Sequence, residues 1–284
     1  MTNMKDSDIN LESKIYNWLT KSGYPLELFS YESLRQYGYI CEKSPLYTDI
    51  ESKQEREIDI SAEKTVGDSE SHNLTVNLLV ECKKSEKPIV VLSSGPDMNC
   101  VRREVFSARV CPSEFCNAQV LANIGFKLKV FSDDYSLPFS TKVHPGYSVL
   151  QAFKNSDELF HRTLYGLAKA EHYYEELHEK YFESSVKDKK ASFLPVTLHL
   201  SLLVVDASLF NAYLDEGKLK VKKSNWASVT LNLPWTPRPE SERRANIQIV
   251  TKDELVNFLK ELDIFIGWIN ESGIISCYVN EENS

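Results

Sequence analysis

The sequence predicts a mixed α/β fold built as a single domain over residues 1–284, and three stretches support this. Residues 9–37 repeat apolar side chains at the spacing of helices. Residues 57–84 hold two short runs rich in Ile, Leu and Val around a polar turn, which is typical of a β-hairpin. Residues 148–183 give the longest helical pattern, and the almost continuously apolar run 194–205 that follows is typical of a buried strand after a crossover helix.

The opening elements are predicted from their boundary signals. The first helix covers 9–21 and ends at Ser22-Gly23, because glycine commonly ends helices. Pro25 can open a second helix from about 26 to 37. Residues 39–47 are predicted as the first strand, so a helical start precedes the hairpin.

The hairpin carries acidic residues near one end. Asp59 follows one apolar stretch, and Glu81-Cys82-Lys83 ends the other. Glu81 and Lys83 share one face of the strand, and Cys82 points to the other and is predicted to pack. If Asp59 lies beside Glu81, the two carboxylates repel unless a hard cation such as Mg²⁺ lies between them. A lysine there could act on a water or a phosphate, so the site suits metal-assisted hydrolysis of a phosphodiester.

This pattern resembles the Asp…Glu-x-Lys signature of the PD-(D/E)xK nucleases, the restriction-endonuclease-like superfamily. The resemblance extends upstream to Gly23-Tyr24-Pro25-Leu26-Glu27 and downstream to Pro88, while Ile58 stands where members often have proline. It implies a core of a helix, a three-stranded antiparallel meander, a crossover helix and further strands. A large insertion on that core is predicted over 95–147, where no clear period is found.

The resemblance also implies residue roles. Asp59 and Glu81 would bind Mg²⁺ or Mn²⁺, and Lys83 would act on the water or the scissile phosphate. Members often add an acidic residue from the helix before the first core strand; Glu27 is the better placed candidate and Glu12 the alternative. Basic residues that could contact the substrate are Lys84, Arg238, Arg243 and Arg244.

The expected activity is therefore metal-dependent cleavage of nucleic acid, with DNA favoured, and bacterial restriction or anti-phage defence is a setting that such an activity fits. A homodimer would supply two active sites for cutting a duplex. The alternative is a nuclease-like binding or sensing subunit with weak catalysis that acts with a partner protein. A metal-free structural protein would leave the clustered carboxylates unexplained.

The composition of the chain narrows the class of protein that it can be. The net charge of −8 argues against a protein that coats nucleic acid, although local basic patches can override the total. No apolar run approaches the roughly 20 residues that span a bilayer, and the N-terminus lacks the layout of a signal peptide. A cytoplasmic protein with no membrane contact and with its six scattered cysteines reduced is expected.

Four further expectations concern smaller elements. Asp49 and Glu57 are predicted either to lie on the surface or to contact and support the residues of the site. Residues 218–221 and 226–231 are predicted as a strand pair, and 246–250 as a later strand. Thr251 is expected to cap a final helix.

Overall fold

The computed structural model describes residues 6–67, 72–94, 109–111, 145–154, 158–187, 194–236 and 244–271. Its helices are α1 (Asp6–Lys21), α2 (Tyr24–Gln36), α3 (Glu158–Lys187) and α4 (Leu255–Glu271), the last preceded by a 3₁₀ turn, Lys252–Glu254. The first strands are β1 (Ile40–Lys43), β2 (Leu46–Thr48), β3 (Glu55–Glu57), β4 (Ile60–Val66), β5 (His72–Lys84), β6 (Ile89–Ser93) and β7 (Arg109–Cys111). The later strands are β8 (Pro145–Gln151), β9 (Leu194–Asp206), β10 (Leu209–Asp215), β11 (Lys218–Ser224), β12 (Trp226–Asn232) and β13 (Arg244–Thr251). No helix in these described ranges is long and apolar enough to cross a membrane.

The centre of the molecule is a mixed sheet, so the predicted mixed α/β class is confirmed. Strands β1, β4 and β5 are antiparallel neighbours, and β9 then adds parallel to β5. The β5–β9 pairing covers thirteen residues, from His72 opposite Leu194 to Lys84 opposite Asp206. A parallel pair requires a long crossover, which here includes the thirty-residue helix α3. The strand predicted over 194–205 is therefore central, between β5 and β13.

The sheet curls beyond β5 and β9, because the chain runs from each of these two strands into a further strand of the same sheet. Strand β6 follows β5, β10 follows β9 after two intervening residues, and β6 and β10 pair in parallel. On its other side β6 pairs with β8, which pairs with β12, and β12 leads back through β13 to β9. Strands β2 and β3 form a separate two-stranded sheet.

Side chains that alternate along the central strands point into two apolar cores, one on each face of the sheet. Val76, Leu78 and Val80 of β5 point into a core that contains residues of α2 and α4. Leu79 points the opposite way, into a core with Leu167 of α3 and residues of β6, β8, β12 and β13. Each fully buried aliphatic side chain of this kind contributes about 1.5–3 kcal/mol by leaving water. The sheet is thus held rigidly between helices on two faces.

Two predicted elements have different bounds. The helix expected from residue 148 begins at Glu158, because 145–151 form strand β8, in which Val149 is buried. Its apolar residues fit a helix and a strand alike, and pairing with β6 decides between them. The strand expected over 39–47 is broken at Ser44, which has a φ of 53° and precedes a proline. The chain therefore leaves the main sheet and enters β2.

The C-terminal half corrects two further predictions. The strands at 218–224 and 226–232 exist but do not pair with each other: β11 pairs with β10, and β12 pairs with β13 and β8. Thr251 precedes the 3₁₀ turn, but its side chain accepts no capping hydrogen bond from the backbone.

The insertion predicted over 95–147 lies mostly outside the described residues. The parts that are described join the main sheet, where β7 pairs with β9 and the first residues of β8 pair with β12. Whether the stretch is an insertion on a smaller core stays a prediction.

Gly146 is expected to be irreplaceable in β8. A Cβ placed there would lie 2.3 Å from Val91 Cγ1 and 2.7 Å from the Ser228 carbonyl oxygen, so the backbones of β8 and β12 would have to separate. We expect Gly146→Ala to lower the free energy of unfolding by about 1–3 kcal/mol, as overpacking does. Chemical denaturation measures this.

Gly267 provides the matched control, because a Cβ there would meet nothing within 4 Å. Gly267→Ala in helix α4 should stabilise by about 0.5–1 kcal/mol through helix propensity. Equal effects of the two substitutions would contradict the close approach at Gly146.

Candidate active site

The hairpin places the acidic residues as its sequence predicts. Strands β4 and β5 pair with Ile60 opposite Val80, which brings Asp59 and Glu81 next to each other just beyond the last pair. Asp59 lies in the bend between β3 and β4, and the backbone N–H of Cys82 donates to its Oδ2 at 2.6 Å. The backbone of β5 therefore fixes one carboxylate directly beside the Glu-x-Lys segment.

Lys83 lies between the two carboxylates. Its Nζ donates to Glu81 Oε2 at 2.7 Å and lies 3.8 Å from Asp59 Oδ2. The Lys83 and Glu81 side chains are 29% and 14% exposed, so the pair is largely shielded from water but can be approached from one side. The structure thus brings Asp59, Glu81 and Lys83 together on one face of the sheet.

Glu27 joins this group from helix α2. The helix is fixed against β5 because its buried Ser30 accepts a hydrogen bond from the Cys82 thiol at 3.4 Å. Glu27 lies one turn earlier, where it interacts electrostatically with Asp59 and Lys83. Glu12, the alternative acid, is exposed on α1. Of the two predicted candidates, Glu27 is the one that interacts electrostatically with Asp59 and Lys83.

Electrostatics at the site reflect crowded, partly buried carboxyl groups. Burial raises the pKa of Glu81 to about 7, with Asp59 and Glu27 adding to the rise and Lys83 opposing it. Burial also raises the pKa of Glu27, and the charge of Asp59 raises it further. For Lys83 burial alone would lower the pKa, but Glu81 and Asp59 outweigh it and the pKa is raised. The site therefore favours added positive charge.

The donor set suits a hard divalent cation. Carboxylate oxygens are the ligands that Mg²⁺ and Mn²⁺ prefer, and the mutual repulsion of Asp59 and Glu81 is what a cation would relieve. Within the described ranges, no three His, Cys, Asp or Glu side chains already converge as a metal-binding group.

Cys82 has the packing role expected of it. It is 4% exposed in the core beneath α2, and burial raises the pKa of its thiol to about 12. Because the neutral Cys82 side chain is buried on this face and side chains alternate along a strand, Glu81 and Lys83 must both point to the opposite face.

The predicted substrate-binding residues are more dispersed. Lys84 alternates away from Lys83, and its Nζ donates to the Thr20 carbonyl oxygen at the end of α1. Arg244 is the first residue of β13 and lies seven positions before Thr251. Thr251 is level with the site, because its partner Val205 also pairs with Lys83. Arg238 and Arg243 lie outside the described residues. The structure therefore does not bring Lys84 or Arg244 into the acidic cluster.

A buried anchor beside the site was not expected from the sequence. Asp49, predicted near the surface, is 1% exposed. It accepts hydrogen bonds from the Ser52 N–H at 3.0 Å and from Lys169 of α3 at 3.0 Å, and it pairs with Arg56 of β3 at 2.9 Å. Strand β3 ends two residues before Asp59, so the anchor fixes the approach of the chain to the site. The only sequence signal was an aspartate at the start of a polar turn.

Tyr47 is a second residue that the sequence did not single out. It is 4% exposed in β2. Burial raises the pKa of its hydroxyl to about 12, and the charges of Asp49 and Glu81 raise it further while Arg56 opposes them.

Comparisons with protein-family models, with curated proteins and with solved structures find no match for this chain. Its function is therefore to be inferred from the geometry of Glu27, Asp59, Glu81 and Lys83.

Proposed function

We propose that the protein is a metal-dependent nuclease of the PD-(D/E)xK type that hydrolyses phosphodiester bonds, with DNA as the favoured substrate. The observation that carries the proposal is the cluster in which Lys83 contacts Glu81 and lies beside Asp59 at one end of a β-hairpin. The order of helix, antiparallel β1–β4–β5, helix α3 and parallel β9 supports it, because the resemblance implies this core.

Each residue has a distinct chemical part. Asp59 and Glu81 would hold Mg²⁺ or Mn²⁺, and Glu27 would add an oxygen or orient the site. When bound, such an ion supplies polarisation of a phosphoryl oxygen and a more acidic water. Lys83 presents its ammonium to the attacking water or to the phosphate, where it stabilises the negative charge that develops. Glu81 must give up its proton before it can act as a ligand, because burial raises its pKa to about 7.

An alternative function is favoured by a separate observation. Helix α1 exposes an apolar stripe of Leu11, Ile15 and Trp18, which are 56%, 47% and 63% exposed. Such stripes are characteristic of helices that bind a protein. On this alternative the chain is a nuclease-like binding or sensing subunit that acts with a partner protein, for example in bacterial restriction or anti-phage defence.

The proposal is tested by cleavage of plasmid DNA, single-stranded DNA and RNA with and without Mg²⁺ or Mn²⁺. We expect the wild-type protein to cut only with metal, and Lys83→Ala and Asp59→Ala to lose cutting. Glu32→Gln is the control, because Glu32 is 60% exposed on the same helix as Glu27 and pairs with Arg35 on the helix surface.

Two results would contradict the proposal. Cutting that survives both substitutions would show that the catalytic groups lie elsewhere. A wild-type protein that cuts nothing, and whose melting temperature is unchanged by Mg²⁺, would favour the binding-subunit alternative. A metal that binds the folded state alone must raise that temperature.

A further inference from the structure

Strands β10 and β11 form a basic ribbon at the edge of the sheet. Strand β11 carries four lysines in seven residues and no acidic residue. All four lysines are exposed. Three of them alternate along one side of the strand, and we call Lys218, Lys220 and Lys222 the lysine face. In a protein with a net charge of −8, this concentration of positive charge requires an explanation.

The lysine face lies on the same side of the sheet as the acidic cluster. Glu81 and Lys83 alternate with Leu79, which points into the core beneath α3. Leu209 of β10 points into that same core, and its direct partner on β11 is Ser224. Residues opposite each other in an antiparallel pair share a face, so Lys222, Lys220 and Lys218 follow Ser224 on that side.

The ribbon also begins near the site. Lys84 pairs with Asp206 at the end of β9, and Asn211, the partner of Lys222, lies five positions farther along. Asp215, the partner of Lys218, lies four positions beyond Asn211. At about 3.3 Å per residue, the lysine face extends from at most ~17 Å to at most ~30 Å beyond the site.

The spacing of the lysines fits a regular anionic polymer. Alternate residues of a strand recur about every 6.8 Å, and the phosphates of one strand of a DNA duplex recur about every 3.4 Å along its axis. Because the phosphates also wind around that axis, a straight strand brings its lysines near a short run of phosphates on one side of the duplex. Lys222 hydrogen-bonds the Tyr213 side chain and its Nζ lies 5.8 Å from the centre of that ring. Among the residues that the structure describes, these lysines form no ion pair that a phosphate would first have to break.

We infer that the lysine face binds the phosphate backbone of duplex DNA and leads the duplex to the acidic cluster. The inference rests on the proposed nuclease function and names its substrate as duplex. Lysines at an edge strand can also serve only to prevent strand pairing between molecules, and that function predicts a different result in the same experiment.

The experiment measures binding of the protein to a 20-base-pair duplex and to a single strand of the same length by fluorescence anisotropy, in EDTA so that nothing is cut. The test variant changes the whole lysine face to glutamine. Each phosphate contact contributes about 0.9 to the slope of log affinity against log salt. We therefore expect a slope shallower by about 3 and, at low salt, binding weakened by about tenfold or more.

Two controls are matched to this variant. Lys14, Lys180 and Lys260 changed together to glutamine remove the same charge from three exposed helical positions, and should leave the slope unchanged. Lys222→Gln should reduce the slope by about 0.9, whereas Lys223→Gln should not, because these adjacent lysines point to opposite faces of the ribbon.

The outcomes separate this inference from the proposed function. If the wild-type protein cuts DNA but the lysine-face variant binds and cuts as well as wild type, the inference is overturned and the nuclease stands. Self-association of the variant with unchanged affinity for DNA also overturns it, in favour of edge protection. If the variant loses affinity only for single strands, the duplex assignment is wrong. A wild-type protein that neither binds nor cuts nucleic acid overturns both.

Discussion

Glu81→Gln is expected to slow cleavage severely while making the protein more stable at pH 8. The amide keeps the shape of the side chain but cannot carry negative charge, so both the binding of a cation and the pairing with Lys83 are weakened. We expect the cleavage rate to fall about 10³-fold, comparable to the loss of a group that stabilises charge in the transition state. Glu32→Gln, on the exposed surface of α2, should leave the rate unchanged.

The stability gain follows from the raised pKa. Glu81 has a pKa of about 7 in the folded protein against an ordinary value of 4.5, so the folded state binds more protons between these values. Its contribution to stability is fully present below pH 4.5 and is lost as the pH rises through 7. Glutamine does not ionise, and the variant should avoid this loss, gaining about 1–3 kcal/mol at pH 8.

Denaturant unfolding of both proteins at pH 5 and pH 8 measures the effect. The stability that the wild-type protein loses between the two pH values should exceed that lost by the variant. A variant that is less stable than wild type at both pH values would show that the ion pair with Lys83 outweighs the cost of burying Glu81. A gain of stability on removing a functional group is common at active sites.

Asp49→Asn is expected to have the largest effect on folding. The buried Asp49 carboxylate pairs with Lys169 and Arg56, and removing its charge leaves the largely buried Lys169 ammonium facing an amide. We expect a loss of about 3 kcal/mol, as when one partner of a buried ion pair is removed. Since β3 leads directly to Asp59, cleavage should also fall.

Glu51→Gln is the matched control, because Glu51 contacts the same lysine but is 54% exposed. An exposed ion pair contributes only about 0–1 kcal/mol, so this substitution should cost little. Thermal unfolding of the two variants at pH 7 compares them. Equal losses would contradict the view that burial makes Asp49 the anchor.

The effect of Asp49→Asn should also depend on pH. Burial alone would raise the pKa of Asp49, but hydrogen bonds from the Ser52 N–H and from Lys169 outweigh it and lower the pKa to about 2. The stability that Asp49 adds is therefore present above its ordinary pKa of 3.8 and is lost as the pH falls through 2. Wild type and variant should differ fully at pH 7 and converge in strong acid.

The local patterns of the sequence predicted the centre of the molecule well. The hairpin of β4 and β5 follows from two β-rich runs around a polar turn, and alternation along β5 put Glu81 and Lys83 on one face. The continuous apolar run at β9 correctly indicated a strand covered on both sides. In these stretches, local preference and tertiary packing favour the same structure.

Prediction failed where distant contacts decide the outcome. The apolar residues of β8 suit a helix equally well until pairing with β6 selects the strand. Strands β11 and β12 are adjacent in sequence, yet their partners come from elsewhere in the chain. Asp49 sits in a polar turn, and its burial depends on Lys169, which lies 120 positions away. No local pattern contains such information.

The pairing of β5 with β9 has a consequence for synthesis of the chain. His72 and Leu194 are partners but lie 122 positions apart, from 72 to 194. At a translation rate of about 5–20 residues per second, β9 is made roughly 6–24 s after β5. Throughout that interval β5 presents an apolar strand with one unpaired edge, a structure prone to aggregation. The nascent chain should therefore depend on chaperones that hold β5 until β9 emerges from the ribosome.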